Sequence, residues 1–279
     1  MSYETITVKP VTPTIGAEVS GIDLARPLGN QQFQEVHDAL MAHQVLFFRD
    51  QKLTLDQHKA FGRLFGELAI HPNTKGPDGH PEILPIHADA NSKRVSGERW
   101  HSDVSCDPEP PMGSILNLKT IPESGGDTIF ASMYAAYDAL SEPMKTFLAG
   151  LTAVHDGAQN YVRTNRIIGD NTEKTFPRAE HPVIRTHPVT GRTAIFVNPV
   201  FTSHIKGLPE AESKAILEFL YEHCGRPHWQ VRFRWTPDAI AFWDNRCVQH
   251  IAMWDYFPQV RSGFRVTVKG DKPFHRPSH

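Results

Sequence analysis

Two histidines and an aspartate are the residues of this chain whose types and spacing point most directly to chemistry. His101 and Asp103 form an H-x-D pair, and His250 lies far downstream of them. Because alternate residues of an extended strand point to one face, an imidazole and a carboxylate at this spacing can reach the same metal ion. Two histidines and one carboxylate with open coordination positions are the ligand set of non-heme Fe(II) oxygenases. The pattern therefore predicts a metal-dependent oxygenase.

The H-x-D pair is weak evidence by itself, because the chain has 16 histidines in 279 residues and a chance pair is expected. The C-terminal segment adds to it: Arg261 and Arg265 are four residues apart on a predicted amphipathic strand, so both side chains face the same way. Two guanidinium groups on an inner face are costly unless anions pair with them. A dicarboxylate cosubstrate and an anionic substrate would supply those partners. The alternative is a pair of solvated arginines on an edge strand.

Length and composition predict one globular domain, with insertions, spanning residues 1–279. A net charge of −2 and a pI near 6.8 give no reason to expect nucleic acid or an anionic membrane as a partner. The basic and aromatic run at 228–235 has the alternation of an amphipathic strand, which we favour over a nucleic-acid stripe. Three cysteines without framework spacing, no signal peptide and no long apolar stretch predict a soluble protein of a reducing compartment, the cytoplasm.

Strand signals recur along the chain, whereas helix signals are few and short. Asn30 is a candidate cap for a first helix, and Thr54 with Gln57 forms a capping box for a second. Further helices are expected near 133–140, 143–151 and 210–223. The β-rich runs are at 114–118, 128–130, 194–197, 231–235, 240–243 and 264–268. This pattern predicts a mostly β protein with flanking helices, a double-stranded jelly roll.

Two segments, 72–99 and 156–182, are too polar and too interrupted for long elements of secondary structure. Loops of this length inside a compact domain are usually functional or disordered. Each lies near a predicted site segment, so we expect both to act as lids over the substrate. Simple surface insertion is the alternative.

Six blocks occur in a recognisable order: 15–21 (IGAEVSG), 43–51 (HQVLFFRDQ), 65–68 (FGEL), 125–128 (GGDT), 243–246 (WDNR) and 270–274 (GDKPF). With them, the chain resembles the taurine dioxygenase family of Fe(II)- and 2-oxoglutarate-dependent oxygenases over nearly its whole length. The resemblance implies the same jelly-roll fold. It also implies Fe(II), 2-oxoglutarate and O₂, with succinate and CO₂ as products. A sulfonate substrate would be hydroxylated and would break down to sulfite and an aldehyde.

The resemblance also implies roles for individual residues. The implied iron ligands are His101, Asp103 and His250; the implied 2-oxoglutarate ligands are Thr128 and Arg261; the implied sulfonate ligands are His71 and Arg265. We expect Tyr161 and Phe201 to contact substrate as well. His71 can alternatively be a loop histidine whose hydrogen bonds are satisfied within the protein.

Two departures from the family pattern concern the substrate. This chain has Thr74 where the taurine enzyme has a tyrosine, and Gly97 where it has an asparagine, both near the substrate's ammonium group. Losing two polar partners of a cation disfavours an amine by about 1–3 kcal/mol. The segment before His101 looks more like the phenoxypropionate dioxygenases. We therefore expect a small organic anion without an amine, with a phenoxyalkanoate or alkyl sulfate ester as alternatives to the sulfonate.

A zinc hydrolase or a non-catalytic jelly-roll binding protein is the alternative of another class. Neither needs two arginines and a threonine near its metal, which favours the oxygenase. Because most soluble oligomers are symmetric homo-oligomers, a dimer or tetramer is expected.

Overall fold

A computed structural model of the chain describes residues 3–71, 74–168 and 175–276. Its helices are α1 (Asn30–His43), α2 (Leu55–Arg63), α3 (Met133–Asp138), α4 (Glu142–Ala149), α5 (Ala158–Ile168) and α6 (Glu210–Cys224), with a short 3₁₀ turn at Pro227–Trp229. Its strands are β1 (Thr7–Pro10), β2 (Ala17–Ser20), β3 (Val45–Phe48), β4 (Leu84–Ala88), β5 (Gly113–Thr120), β6 (Thr128–Ser132), β7 (Thr152–Asp156), β8 (Arg178–Pro182), β9 (Ile184–Thr186), β10 (Thr193–Ile195), β11 (Thr202–Ile205), β12 (Gln230–Phe233), β13 (Ile240–Asp244), β14 (Val248–Ala252) and β15 (Arg261–Val268).

The main sheet has seven strands in the order β1-β2-β3-β13-β5-β15-β4. Strands β3 and β13 are apolar at nearly every position, as expected where both faces of a sheet are covered. Phe47 and Trp243 pack into one apolar cluster, whereas Phe48 and Phe242 pack into the other. Successive side chains of a strand point to opposite faces, so each central strand contributes to both clusters.

A smaller sheet, β12-β6-β14, lies over one face of the main sheet. Phe130 of β6 contacts Trp243 of β13 with ring centroids 5.5 Å apart, and Val231 of β12 belongs to the same cluster. A third sheet, β11-β7-β8, and the β9-β10 hairpin also contribute side chains to this cluster. Two facing sheets with helices outside them form the double-stranded jelly roll that the sequence predicted.

Helices α1 and α2 cover the other face of the main sheet. Leu40 and Phe61 pack with Phe48 in the second apolar cluster. The predicted capping box is confirmed: the Gln57 amide donates to Thr54 Oγ1 at 3.2 Å, and the Thr54 amide donates to Gln57 Oε1 at 2.8 Å. The predicted cap of α1 was wrong by one residue.

At the start of α1 the N-cap is Gly29, without a side-chain hydrogen bond, and Asn30 is the first helical residue. Glycine is tolerated at this position because it costs only a few tenths of a kcal/mol relative to a capping side chain.

The two segments predicted to be irregular contain more structure than expected. The first includes β4, which pairs with β15 at the edge of the main sheet. The second includes α5 and β8; Tyr161 and Asn165, four residues apart, form the buried side of α5. The prediction rested on the polar residues and glycines of the segment, such as Gly157 and Gly169, and did not weigh the helical periodicity of 158–168. Parts of both predicted lids, 72–73 and 169–174, lie outside the described residues.

Two further expectations concern composition. The cysteines Cys106, Cys224 and Cys247 are buried and make no disulfide. No helix in the described part of the chain is both long and apolar enough to cross a bilayer.

Candidate active site

Backbone pairing brings the two predicted histidine ligands together. The His101 amide donates to the His250 carbonyl at 3.1 Å, and the His250 amide donates back to the His101 carbonyl at 2.9 Å. Their imidazole ring centroids lie 4.2 Å apart as a result. His250 belongs to β14, so this single bridge attaches the H-x-D segment to the smaller sheet.

The expectation that His101 and Asp103 lie on a regular strand was wrong. Only His101 is paired, and the chain turns immediately afterwards, with Val104 at φ 43°. A left-handed residue of this kind stops a strand from continuing. Asp103 lies in this turn, and its carboxylate nevertheless reaches the same site as His101.

The three side chains form a buried cluster with the composition of a metal site. One ligand-capable atom from each of His101, Asp103 and His250 lies within 4.8 Å of the others. His101 Nδ1 donates to the Arg99 carbonyl at 2.8 Å, which leaves the Nε2 lone pair for a metal. Among the described residues, Nδ1 of His250 has no hydrogen-bond partner. The donor set fits Fe(II) with open positions.

Asp103 is held by three neighbouring groups. Ser114 Oγ donates to its Oδ2 at 2.7 Å, Arg265 Nη1 donates to its Oδ1 at 2.7 Å, and its own amide donates to Asn245 Oδ1 at 3.2 Å. Burial alone would raise the pKa of Asp103, but Arg265 and the two neighbouring histidines hold it well below its usual range. The carboxylate is therefore ionised and oriented before a metal binds.

Sequence reasoning missed Ser114 and Asn245 as contacts of Asp103. Ser114 is a buried hydroxyl next to the apolar residues Ile115 and Leu116 of β5, and Asn245 also accepts from the Trp243 indole at 2.9 Å. A polar residue in the buried part of a strand was the available signal, since such groups are retained when they are hydrogen-bonded.

Arg261 and Thr128 lie together on the other side of the cluster. Arg261 Nη2 donates to Thr128 Oγ1 at 3.3 Å, and the Arg261 Nε donates to the Gly126 carbonyl at 2.9 Å. The Trp235 indole also donates to Thr128 Oγ1, at 3.0 Å. Arg261 is 2% exposed, and burial lowers its pKa. A buried guanidinium whose orientation is fixed in this way is suited to binding a carboxylate.

All of the predicted site residues line one cavity of about 210 Å³. Arg261 and Arg265, on β15, both face it, as their spacing predicted. His71 also lines it, with its ring 6.3 Å from that of Tyr161. Burial and the charge of Arg265 lower the pKa of His71 to about 4, so it is neutral at pH 7. Phe201 is buried beside Tyr161.

Thr74 and Gly97 lie at the cavity wall in different environments. Thr74 is exposed, and Gly97 has φ 87° next to His101. A Cβ at position 97 would lie 3.2 Å from His101 Cε1. The glycine therefore keeps space open beside this imidazole.

Sequence reasoning missed three polar residues of the cavity wall, Arg94, Ser96 and Thr164, which lie there with Asn160. The Arg94 guanidinium donates to Thr164 Oγ1, and Thr164 Oγ1 donates to the Asn160 carbonyl at 2.8 Å. These contacts join the first predicted lid segment to α5 over the cavity. Both segments were predicted to be irregular, so the sequence reading did not bring these side chains together.

A second group of metal-ligating residue types, His187, Asp244 and Cys247, is buried elsewhere. Arg246 donates to both oxygens of Asp244 at 2.9 and 2.7 Å, and His187 Nε2 donates to Asp244 Oδ2 at 3.0 Å. Asp244 is thereby satisfied within the protein. This group explains the Asp and Arg of the 243–246 block as a buried ion pair rather than a metal site.

The sequence profile described as "Taurine catabolism dioxygenase TauD, TfdA family" matches residues 7–267. The chain belongs to the taurine dioxygenase family. A taurine dioxygenase structure from Burkholderia xenovorans is 38% identical, superposes with a TM-score of 0.85 and matches over 98% of this chain and 92% of its own. AAD-2, solved with Mn(II) and N-oxalylglycine, is 26% identical with the same TM-score, over 97% of this chain and 99% of its own.

Curated relatives of this dioxygenase differ in the substrates that their names state. An alpha-ketoglutarate-dependent sulfate ester dioxygenase of Pseudomonas putida is 36% identical over 95% of this chain and 90% of its own length. A 2,4-dichlorophenoxyacetate dioxygenase of Cupriavidus pinatubonensis is 33% identical over 88% and 91%. The protein is thus a 2-oxoglutarate-dependent dioxygenase, and the zinc hydrolase and non-catalytic alternatives were wrong. Family membership alone leaves the prime substrate open.

Proposed function

We propose that this enzyme uses Fe(II), 2-oxoglutarate and O₂ to hydroxylate a small organic anion, in the first place a sulfonate, which then releases sulfite and an aldehyde. The observation that carries the proposal is the convergence of the His101, Asp103 and His250 cluster with two buried arginines in one cavity. A metal site alone would suit many reactions. Two separately held guanidinium groups provide places for a dicarboxylate and for a second anion.

His101, Asp103 and His250 would hold the metal. Iron with three protein ligands supplies positions for a bidentate keto acid and for O₂, and so the oxidising chemistry. The protein's own contribution is orientation. Arg99 fixes the tautomer of His101, and Ser114 fixes the carboxylate of Asp103.

Arg261 and Thr128 would bind the carboxylate of 2-oxoglutarate that is remote from the metal. The Thr128 hydroxyl lies 3.3 Å from Arg261 Nη2 and accepts from Trp235, so its own proton is available to a ligand. The Arg261 Nε is used by the Gly126 carbonyl, which leaves the end of the guanidinium for the carboxylate.

Arg265 and His71 would hold the substrate anion so that its neighbouring carbon lies over the metal, with Tyr161 and Phe201 forming the apolar wall. Fixing a substrate in this way can contribute several kcal/mol to catalysis. Since His71 is neutral at pH 7, its role would be that of a hydrogen-bond donor, and Arg265 would supply the charge.

The charge of the cavity wall supports a substrate without an amine. Arg94, Arg261 and Arg265 line it, whereas Asp103 is the sole carboxylate lining it among the described residues. Asp103 already accepts from Arg265 and Ser114. A substrate ammonium group would find cations and no available carboxylate there, which is unfavourable in a partly buried site.

Alkyl sulfate esters and phenoxyalkanoates are the second candidates, because relatives carry those names over most of this chain. Both are small anions for which the same arginine could serve. A cytoplasmic location and a dimeric or tetrameric assembly remain predictions of the sequence.

Succinate formation from 2-oxoglutarate, measured with a panel of sulfonates, sulfate esters and phenoxyalkanoates, tests the substrate class. Fe(II) plus 2-oxoglutarate without O₂ should give a weak visible charge-transfer band, and Zn(II) should give none. Absence of the band with Fe(II) would contradict the proposed cofactor set. If turnover is fastest with a sulfate ester or a phenoxyalkanoate, that compound class is the prime substrate and the sulfonate is not.

A further inference from the structure

A carboxylate outside the cavity holds the glycine turn next to Arg261. Asp255 follows β14, and its Oδ1 accepts a 2.8 Å hydrogen bond from the Gly126 amide. Gly125 and Gly126 have φ values of 77° and 69°. A Cβ on Gly125 would lie 2.5 Å from Asp255 Oδ1, so the turn and the carboxylate fit only because the residue is glycine.

The same turn is the contact surface for Arg261. The Gly126 carbonyl accepts from Arg261 Nε at 2.9 Å, and a Cβ on Gly126 would lie 3.2 Å from Arg261 Cδ. One residue is therefore bonded through its N–H to a carboxylate and through its C=O to a guanidinium. Rotation of Gly126 away from Asp255 would also move the carbonyl that fixes the plane of Arg261.

Arg232, on the outer surface, pairs with two carboxylates beside this turn. Its Nε donates to Asp127 Oδ2 at 2.6 Å, and its Nη2 lies 3.5 Å from Asp255 Oδ2. The Met253 amide also donates to the Asp127 carbonyl at 2.9 Å. The segment after β14 is thus attached to the turn at several points, although neither Arg232 nor Asp255 lines the cavity.

We propose that Asp255 is a positioning residue for 2-oxoglutarate, acting through Gly126 on Arg261. The inference rests on the proposed role of Arg261 as the ligand of the remote carboxylate. Two consecutive left-handed glycines have large conformational freedom when nothing holds them. Asp255 removes that freedom in the free enzyme, so that binding of the cosubstrate does not have to order the turn.

Replacement of Asp255 by Ala should weaken 2-oxoglutarate binding about fivefold or more, the effect of losing one positioning hydrogen bond. Binding is measured without O₂ from the charge-transfer band of the Fe(II) enzyme, and KM from succinate formation. The kcat at saturating 2-oxoglutarate should stay within about twofold. D255N keeps the accepting oxygen and should recover most of the affinity.

A keto acid without the remote carboxylate, 2-oxobutyrate, separates positioning from general structural damage. Its affinity should be the same in wild type and Asp255→Ala, because it makes no contact with Arg261. In an Arg261→Ala background, Asp255→Ala should have no further effect on 2-oxoglutarate. Asp138→Ala, which breaks an exposed ion pair with Arg192, is the matched control. It should bind 2-oxoglutarate with the affinity of the wild type.

The outcomes distinguish this inference from the proposed function. If the wild-type Fe(II) enzyme gives no charge-transfer band with 2-oxoglutarate, the proposed function itself is contradicted. If the wild-type enzyme gives the band and Asp255→Ala binds 2-oxoglutarate with unchanged affinity, only the positioning role is disproved. The same conclusion follows if Asp255→Ala binds 2-oxoglutarate and 2-oxobutyrate more weakly by the same factor. Where Asp255→Ala does not fold, Asp255→Ser, whose hydroxyl is too short to reach the same position, serves the same comparison.

Discussion

Arg265 donates through Nη1 to Oδ1 of Asp103 at 2.7 Å, so the cation proposed for the substrate is already paired with the proposed metal ligand. The two side chains come from β15 and from the turn after His101. A substrate anion approaching Arg265 must therefore share this guanidinium with Asp103. With the proposed roles of these two residues, substrate binding and metal binding would be coupled through one ion pair.

The first prediction is that Asp103 is indispensable. Replacing His101, Asp103 or His250 by Ala should abolish substrate-coupled decarboxylation, because each would supply one of the three proposed protein ligands. Thermal unfolding of the metal-free proteins should show that the domain still folds. Turnover of Asp103→Ala near that of the wild type would disprove the metal site.

The second prediction separates the two arginines. Arg261→Ala should mainly weaken the binding of 2-oxoglutarate, and Arg265→Ala should mainly weaken the binding of the prime substrate. Each loss should be about 2–5 kcal/mol, as for a buried charge-assisted pair. Because Arg265 also neutralises Asp103, its loss should tighten divalent metal binding in the absence of other ligands. Separate titrations of metal, 2-oxoglutarate and substrate measure the three effects. Equal effects of both variants on both organic ligands would contradict the division of roles.

The third prediction concerns Ser114, which holds Asp103 Oδ2 at 2.7 Å. Ser114→Ala should lower Fe(II) or Co(II) affinity about 10- to 100-fold, the range for removing a hydrogen-bond partner of a metal ligand. Metal titration followed by equilibrium dialysis measures it. Ser203→Ala, which removes a hydroxyl bonded to the Val154 carbonyl away from the cavity, is the control. Equal metal affinity in both variants would show that Ser114 does not orient the ligand.

A fourth prediction is that taurine is not preferred. Thr74 is exposed and Gly97 has no side chain. Asp103, the sole carboxylate of the cavity wall among the described residues, is already paired with Arg265. An amine-free alkyl or aryl sulfonate should therefore be used at least as well as taurine when the two compete at equal concentration. A tenfold preference for taurine in kcat/KM, about 1.4 kcal/mol, would refute this expectation.

The last prediction concerns stability. Burial alone would raise the pKa of Asp244, but Arg246 and His187 hold it well below its usual range. A depressed carboxylate pKa contributes stability above the ordinary value near 4, and this contribution is lost as pH falls through the folded value. Asp244→Asn should cost about 3–5 kcal/mol at pH 7, because it leaves Arg246 buried without its partner.

Urea unfolding of wild type and Asp244→Asn between pH 7 and pH 3 tests this. The difference in free energy of unfolding between the two proteins should be constant from pH 7 to about pH 5 and should shrink below about pH 4, where the carboxyl group of the unfolded chain becomes protonated. A difference that stays constant down to pH 3 would show that the carboxylate charge is not the cause.

Much of the fold could be predicted from local patterns. The central strands are apolar enough to be recognised, and Thr54 with Gln57 marked the start of α2 correctly, because both features depend on neighbours in sequence. Helix α5 was missed because the prediction gave more weight to the glycines and polar residues of this segment than to its helical periodicity. The start of α1 was misplaced because a glycine cap carries no side-chain signal.

The sequence by itself determined which residue types were available: two histidines, one carboxylate and two arginines whose spacing on one strand placed them on one face. Only the tertiary structure decided how they meet. A single backbone bridge brings His101 beside His250, a turn rather than a strand presents Asp103, and Arg265 pairs with that carboxylate. Spacing along a strand is set by local backbone geometry, whereas contacts between residues more than a hundred positions apart depend on how the sheets pack.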